Sequence, residues 1–183
     1  MDRRRVVITG IGAITPVGHT AGETWAAIRN GVCGIAPITA YDTAGQKVKL
    51  AAEVKDFHVE DWIDKREAKR MERFTQFAVI AAREALADSR LDTAQVELDR
   101  CGVSISSGIG SLAGTEAEHE RGTARGFDKV SPFYIPSCIC NMAAGQVAID
   151  VGFRGQCTCP VTACAGGTYA VGDAFHYIRD GYA

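Results

Sequence analysis

The amino-acid sequence predicts one α/β layer structure built on a largely parallel sheet. Two observations carry this reading: β-branched runs alternate with amphipathic stretches along the chain, and no strong linker interrupts the alternation. Composition is the third. The 183 residues are 46% hydrophobic and 23% charged, with a formal net charge of -2. That suits a globular chain with a buried core, not a disordered, collagen-like or nucleic-acid-coating one.

Arg4 to Ile14 is a β-branched run broken at Pro16-Val17-Gly18, the pattern of a buried strand and its turn. Thr20, with Glu23 three residues later, forms a capping box for a helix whose apolar face holds Trp25 and Ile28 and which Gly31 ends. Residues 32 to 60 read as irregular, with short strands near Val48 to Val54. Asp64 and Glu67 open the longest helix, to about Ser89, in which Met71, Phe74, Ala78, Ala81 and Ala85 recur at three- and four-residue spacing. Val103 to Ser107 is a second strand, Leu112 to about Gly122 a helix, and Arg125 to Ser137 a loop with two prolines. Ile139 to Val151 is a mostly uncharged helix, Gln156 to Thr162 a third strand, and Cys164 to Tyr182 the last helix.

Charge is unevenly spread. Of the 42 charged residues only Asp150, Arg154, Asp173, Arg179 and Asp180 lie in the last 53 positions, so this third is expected to be buried on more than one side. The uncharged stretches there are broken by Pro132, Pro136, Asn141, Gln146 and Pro160, too polar for a membrane span. Arg3-Arg4-Arg5 before Val6-Val7-Ile8 imitates the start of a signal peptide, but Thr9, Gly10, Gly12, Thr15 and Pro16 interrupt the apolar part. A cytoplasmic chain with no membrane segment is expected. Seven cysteines, an odd number, fit that compartment. Cys138/Cys140 and Cys157/Cys159 lack the spacing of zinc knuckles, and His19, His58, His119 and His176 show no ligand spacing. No metal is expected, and core packing is the reading for every cysteine except Cys164.

Three stretches could carry chemistry. Gly10-Ile11-Gly12 and Gly108-Ile109-Gly110-Ser111-Leu112-Ala113 are glycine-rich turns after strands, and Asp128 follows Gly108 by 20 residues. That acid does not end a second apolar strand, so the preferred reading is a tight turn with close backbone packing, not a dinucleotide cradle. On the long helix Arg66, Lys69, Arg70 and Arg73 fall at i, i+3, i+4 and i+7 with Lys65 beside them. Such a stripe is either a solvated face or a docking surface for an acidic partner, and the pattern leaves both open. The third stretch is Pro160-Val161-Thr162-Ala163-Cys164-Ala165-Gly166-Gly167-Thr168, where a strand turns into a helix at a cysteine. A helix N-terminus favours a thiolate and can receive an oxyanion, and the small residues leave room for a substrate. The alternative is a buried structural cysteine.

Val6-Val7-Ile8-Thr9-Gly10-Ile11-Gly12 with Thr15-Pro16-Val17-Gly18, Ser131-Pro132-Phe133 through Pro136 to Asn141-Met142-Ala143-Ala144-Gly145, and Val161-Thr162-Ala163-Cys164-Ala165 together resemble the β-ketoacyl-[acyl-carrier-protein] synthases. The type II elongating enzymes of fatty-acid synthesis are the nearest resemblance. It covers nearly the whole chain in the family's order, and it implies the thiolase-like layered α/β/α/β/α fold and a homodimer. By position Cys164 matches the acyl-accepting nucleophile and Ile109 a residue lining the acyl tunnel. Tyr134 matches one that a neighbouring subunit contributes to that tunnel. Arg66, Lys69 and Arg70 fall where basic residues dock the acyl carrier protein. The segments from Cys138 and from Gln156 correspond to ones near the dimer contact.

The implied reaction is ping-pong. Cys164 takes an acyl group from the carrier's phosphopantetheine arm, and malonyl-carrier then loses carbon dioxide and condenses with it, with no cofactor. In the family two histidines and a lysine of the second half assist, and none of the four histidines here matches them. The resemblance thus implies that residues 1–183 form the N-terminal half, that the C-terminal half lies outside this chain, and that this polypeptide alone does not condense. A polyketide-type ketosynthase subunit shares the nucleophile and is the alternative. A noncatalytic chain-length partner would lack Cys164, and a thiolase, acting on coenzyme A esters, would leave the basic stripe without a use.

Overall fold

The computed structural model describes residues 4–183; Arg3, the first of the basic residues noted above, lies outside them. Seven helices and two small sheets are seen among the described residues. In chain order they are α1 (Ala21–Arg29), β1 (Ile35–Pro37), β2 (Leu50–Ala52), α2 (Lys65–Ala68), α3 (Arg73–Ser89) and β3 (Val103–Ser104). There follow α4 (Leu112–Arg125), α5 (Tyr134–Cys138), α6 (Met142–Val151), β4 (Cys157–Thr158) and α7 (Gly166–Asp180). β1 and β2 pair antiparallel, while β3 and β4 pair parallel with Val103 opposite Cys157 and Ser104 opposite Thr158.

The parallel pairing is the expected one, but it is short. Regular strand ends after two residues in each partner, although Ile105 N still donates to Thr158 O at 3.1 Å. α6 and α7 both pack against β3, and α3 packs along α6. Val79 and Ile80 of α3, Ala144 and Val147 of α6, Val103 of β3, Ile63 and Ala68 form one buried core cluster.

The run from Arg4 to Ile14 is not a strand. Its backbone donors are taken by a helix instead: Ile11 N donates to Asp88 Oδ2 at 3.0 Å and Ala13 N to Glu84 Oε2 at 2.9 Å. The segment can lie this close because Gly12 has no side chain. A Cβ there would sit 1.9 Å from the Ala81 carbonyl oxygen of α3, which gives the glycine the close-packing role expected of it. Val7, Ile8 and Ile11 remain exposed.

The long helix expected from Asp64 to Ser89 is two helices. Asp64 caps α2 through Arg66 N at 2.8 Å as anticipated, but the chain leaves the helix after Ala68 and Glu72 caps a new one. The periodicity carried across this break because Ala68 and Met71 meet the same core that receives Val79 and Ile80.

Other departures are smaller. The 125–137 loop contains a short turn at Phe127–Lys129 and the start of α5, and α6 begins three residues later than expected. Thr20 caps α1 through Glu23 N at 3.1 Å, whereas the Glu23 carboxylate accepts from His19 N at 2.7 Å. Trp25 and Ile28, on the apolar face of α1, are 62% and 58% exposed. The charge-poor last third is likewise open: Phe133, Ile135, Ile149, Val161, Tyr169, Val171 and Tyr182 are all exposed. No helix among the described residues is long and apolar enough to cross a membrane.

Candidate active site

Cys164 lies on a sharp turn between β4 and α7. Val161 to Cys164 are exposed, and Ala163–Ala165 form a single helical turn leading into α7. Ala163 has φ 48°, a left-handed conformation that costs a non-glycine residue about 1–2 kcal/mol. Strain at a strand-to-helix elbow is the geometry that projects a nucleophile outward. Ala165 N donates to Thr162 O at 3.1 Å, closing the turn. The thiol of Cys164 is exposed, so the buried structural reading of this cysteine does not hold.

The elbow is pressed against the loop that follows β3. A Cβ on Gly166 would fall 2.0 Å from Ser106 Oγ and 2.8 Å from its Cβ, so any larger first residue of α7 would force Ser106 to move. Two further contacts bind the same region: Ser111 N donates to Cys138 O at 2.9 Å, and the Cys159 thiol donates to Cys140 O at 3.5 Å. Three segments thereby converge, one carrying Ile109, one Tyr134 and one Cys164. Ile109 is 71% exposed and Tyr134, the first residue of α5, is half-buried. Burial pushes the Cys159 thiol above its ordinary value, a Ser107 backbone hydrogen bond pulls it back, and the neighbouring Cys140 and Cys157 raise it. Burial alone raises Cys157.

The basic residues do not form one helical stripe. Arg66 lies in α2, Lys69 caps it and Arg70 follows in the break; all three are exposed, and among the described residues none makes an ion pair. Arg73 is separated from them in use. It donates to Val54 O at 2.6 Å, and its guanidinium sits 5.3 Å and 5.0 Å from the Phe57 and Phe77 ring centres. The stripe fails because its spacing was read along a helix that the chain interrupts.

Sequence reasoning missed the link between this patch and the elbow region. Glu72, two residues beyond Arg70, accepts a hydrogen bond from Ser111 Oγ at 2.8 Å, and Ser111 is two residues beyond Ile109. Ser111 is readable as a helix cap, since it also accepts from Gly114 N at 3.0 Å. Its bond to Glu72 has no local signal, being a contact between residues 39 apart. Ala163 gave no signal either, because alanine does not mark left-handed backbone.

The same arrangement of elements is found in known proteins. The chain superposes on the ishigamide ketosynthase/chain length factor with a TM-score of 0.84 and 32% identity, covering 98% of this chain and 45% of the other. It is 48% identical over 180 residues to 3-oxoacyl-[acyl-carrier-protein] synthase 2 of Staphylococcus aureus (strain COL), covering 98% of this chain and 44% of that protein. It is 44% identical over 183 residues to the Synechocystis sp. (strain ATCC 27184 / PCC 6803 / Kazusa) protein of the same name, again 44% of the latter's length. The chain thus spans less than half the length of the curated relatives it matches. Residues 3–183 match the family model described as beta-ketoacyl synthase, N-terminal domain. A match that runs from the N-terminal segment through the cysteine elbow to the end of α7 places this chain in the β-ketoacyl synthase family.

Proposed function

We propose that this chain is the N-terminal half of a 3-oxoacyl-[acyl-carrier-protein] synthase of the type II elongating kind, and that Cys164 is its acyl-accepting nucleophile. The observation that carries the reading is the elbow: an exposed thiol behind a left-handed Ala163, at the entry to a fifteen-residue helix, in a chain of this family. Relatives 44–49% identical, each named as 3-oxoacyl-[acyl-carrier-protein] synthase 2, support the elongating reaction over the polyketide alternative.

In the proposed first half-reaction the Cys164 thiolate attacks the acyl thioester of the carrier's phosphopantetheine arm. The acyl–sulfur bond to the arm breaks, a new one forms at Cys164, and the arm leaves as a thiol. In this proposal the first-turn N–H groups of α7, which have no partner within the helix, stabilise the oxyanion of the tetrahedral intermediate. Malonyl-carrier then loses carbon dioxide, and its carbanion attacks the carbonyl of the Cys164 thioester; a carbon–carbon bond forms, the acyl–sulfur bond breaks, Cys164 leaves as a thiolate ready for the next acyl group, and a 3-oxoacyl-carrier two carbons longer is released. The decarboxylation drives the step, so the reaction balances without a nucleotide or a metal.

Ile109 and Tyr134 line the acyl path in this proposal, Tyr134 reaching that of a partner subunit, and Arg66, Lys69 and Arg70 receive the acidic carrier. Convergence of the Ile109 and Cys164 segments supports the place of Ile109, and the exposure of three cations that make no ion pair among the described residues supports the carrier assignment. The proposed assembly is a homodimer in the cytoplasm. The open apolar surface of the last third and the free edge of β4, paired on one side only with β3, support a chain whose surface is covered by further protein.

Incubating the 183-residue chain with radiolabelled acyl-carrier tests the nucleophile. Label should appear on the peptide containing Cys164, vanish in Cys164→Ala, and remain in Cys157→Ala; equal labelling of the Cys164→Ala chain would refute the assignment. Added malonyl-carrier should give no 3-oxoacyl product with this chain alone. Turnover there would sink the proposal that condensation needs the second half.

A further inference from the structure

Five of the seven cysteines lie between positions 138 and 164, and the reaction proposed above uses one. Cys140 sits in the connection between α5 and α6, and Cys159 follows β4 on the strand leading to the elbow. The Cys159 thiol donates to the Cys140 carbonyl oxygen at 3.5 Å, which brings its sulfur against the residue that carries the second thiol. Both residues are half-buried yet not sealed.

We propose that Cys140 and Cys159 are an oxidative modification site, closing reversibly to a disulfide that staples the α5–α6 connection to the strand feeding the elbow. The neighbours do not offer the same chemistry. Cys157 and Cys159 are two residues apart on an extended strand, which holds their Cβ atoms about 6.6 Å apart, beyond the about 3.8 Å that a disulfide takes. Cys138 is buried, with its sulfur against Ser137 Oγ at 3.5 Å and beside Gly114.

The step needs a two-electron oxidant, supplied as a low-molecular-mass disulfide, a peroxide or a diazenedicarboxamide. Two S–H bonds break and one S–S bond forms. With the diazenedicarboxamide diamide, both electrons and both protons pass to its N=N bond, leaving the hydrazine. The thiol that attacks must first ionise. Because burial holds Cys159 above the ordinary thiol range, closure should accelerate as pH is raised toward and above that range.

The test uses the 183-residue chain treated with diamide, quenched with N-ethylmaleimide and digested without reductant. Two of the seven thiols should be lost to alkylation, the intact mass should fall by two hydrogens, and dithiothreitol should reverse both changes. A cross-linked peptide pair should join Cys140 to Cys159, persist in Cys157→Ser and Cys164→Ser, and be absent from Cys140→Ser and Cys159→Ser. The wild-type peptide map decides even where a variant does not fold. A map dominated by Cys157–Cys159, by any pair including Cys164, or by seven alkylated thiols overturns the proposal.

Discussion

Arg83 of α3 grips Asp150 of α6 with two parallel N–H donors, Nε donating to Oδ2 at 2.8 Å and Nη2 to Oδ1. The Asp150 carboxylate raises the Arg83 guanidinium further above its already high value, through the hydrogen bonds first. Arg83 also donates to Trp62 O at 2.7 Å, so one side chain ties together the two central helices and the turn before α2. The pair is partly solvated, which discounts the strength of a bidentate bridge. Asp150→Asn should cost about 1 kcal/mol, and Arg83→Ala about 2 kcal/mol because the Trp62 carbonyl loses its donor as well. Urea unfolding of both single variants and the double variant measures this, and additivity would show that the two residues do not cooperate.

Gly12 and Gly22 make a matched comparison. A methyl at Gly12 must displace the backbone of α3, and Gly12→Ala should lower stability by about 3 kcal/mol. At Gly22, in the first turn of α1, the nearest atom to an added Cβ is Thr20 Oγ1 at 4.0 Å. Gly22→Ala should therefore raise stability by a few tenths of a kcal/mol, roughly. Thermal melts of the two variants should move in opposite directions.

Glu53 receives the Thr39 backbone N–H at 2.9 Å, the Thr39 hydroxyl at 2.8 Å and the Ala40 N–H at 3.1 Å. The Thr39 backbone bond, then its hydroxyl, hold the carboxyl below the ordinary value of 4.5; desolvation opposes them, and the Ala40 N–H and Lys55 add lesser lowering effects. A depressed value means that the contribution is complete above the ordinary carboxylate range and disappears as pH falls through the folded value. Amide signals of Thr39 and Ala40, followed by NMR through acid titration, should shift together with the Glu53 carboxyl and below pH 4.5. Glu53→Gln should abolish that shift at both amides.

Arg70 and Arg73 differ by three positions and by role. Charge reversal at Arg66, Lys69 and Arg70 should slow association with an acidic carrier by about tenfold and flatten its dependence on salt, leaving the melting temperature nearly unchanged. Arg73→Ala should do the reverse, lowering stability by about 1 kcal/mol through the lost Phe57 and Phe77 contacts while leaving carrier association intact. Surface-plasmon kinetics at two ionic strengths, with melts alongside, separate the two outcomes.

Most helices were legible because their signals are local. Thr20, Asp64 and Ser111 act as caps, and the spacing of Met71, Ala78 and their neighbours follows the core. The elbow was legible for the same reason, since a β-branched run gives way to small residues at Cys164. The N-terminal run was misread as a strand because its pattern records apolar side chains, not the partner of its N–H groups. Here Asp88 and Glu84, more than seventy residues away, take that place. The helix break at residues 69–72 escaped for a related reason: apolar spacing continues across it because both halves face one core. Contacts such as Ser111 with Glu72, or Cys159 with Cys140, join distant segments and leave no periodic trace.

The interruption between α2 and α3 makes neighbours in sequence face opposite worlds. On an unbroken rod, Arg70 and Glu72 would share the rod's rotation and nothing else. In the folded chain Arg70 meets solvent while Glu72 turns inward to hold Ser111, at the base of the loop that bears Ile109. Only two peptide bonds separate an exposed cation from a carboxylate fastened to the cap of α4, so a displacement at the surface has a short covalent route to the Ile109 loop.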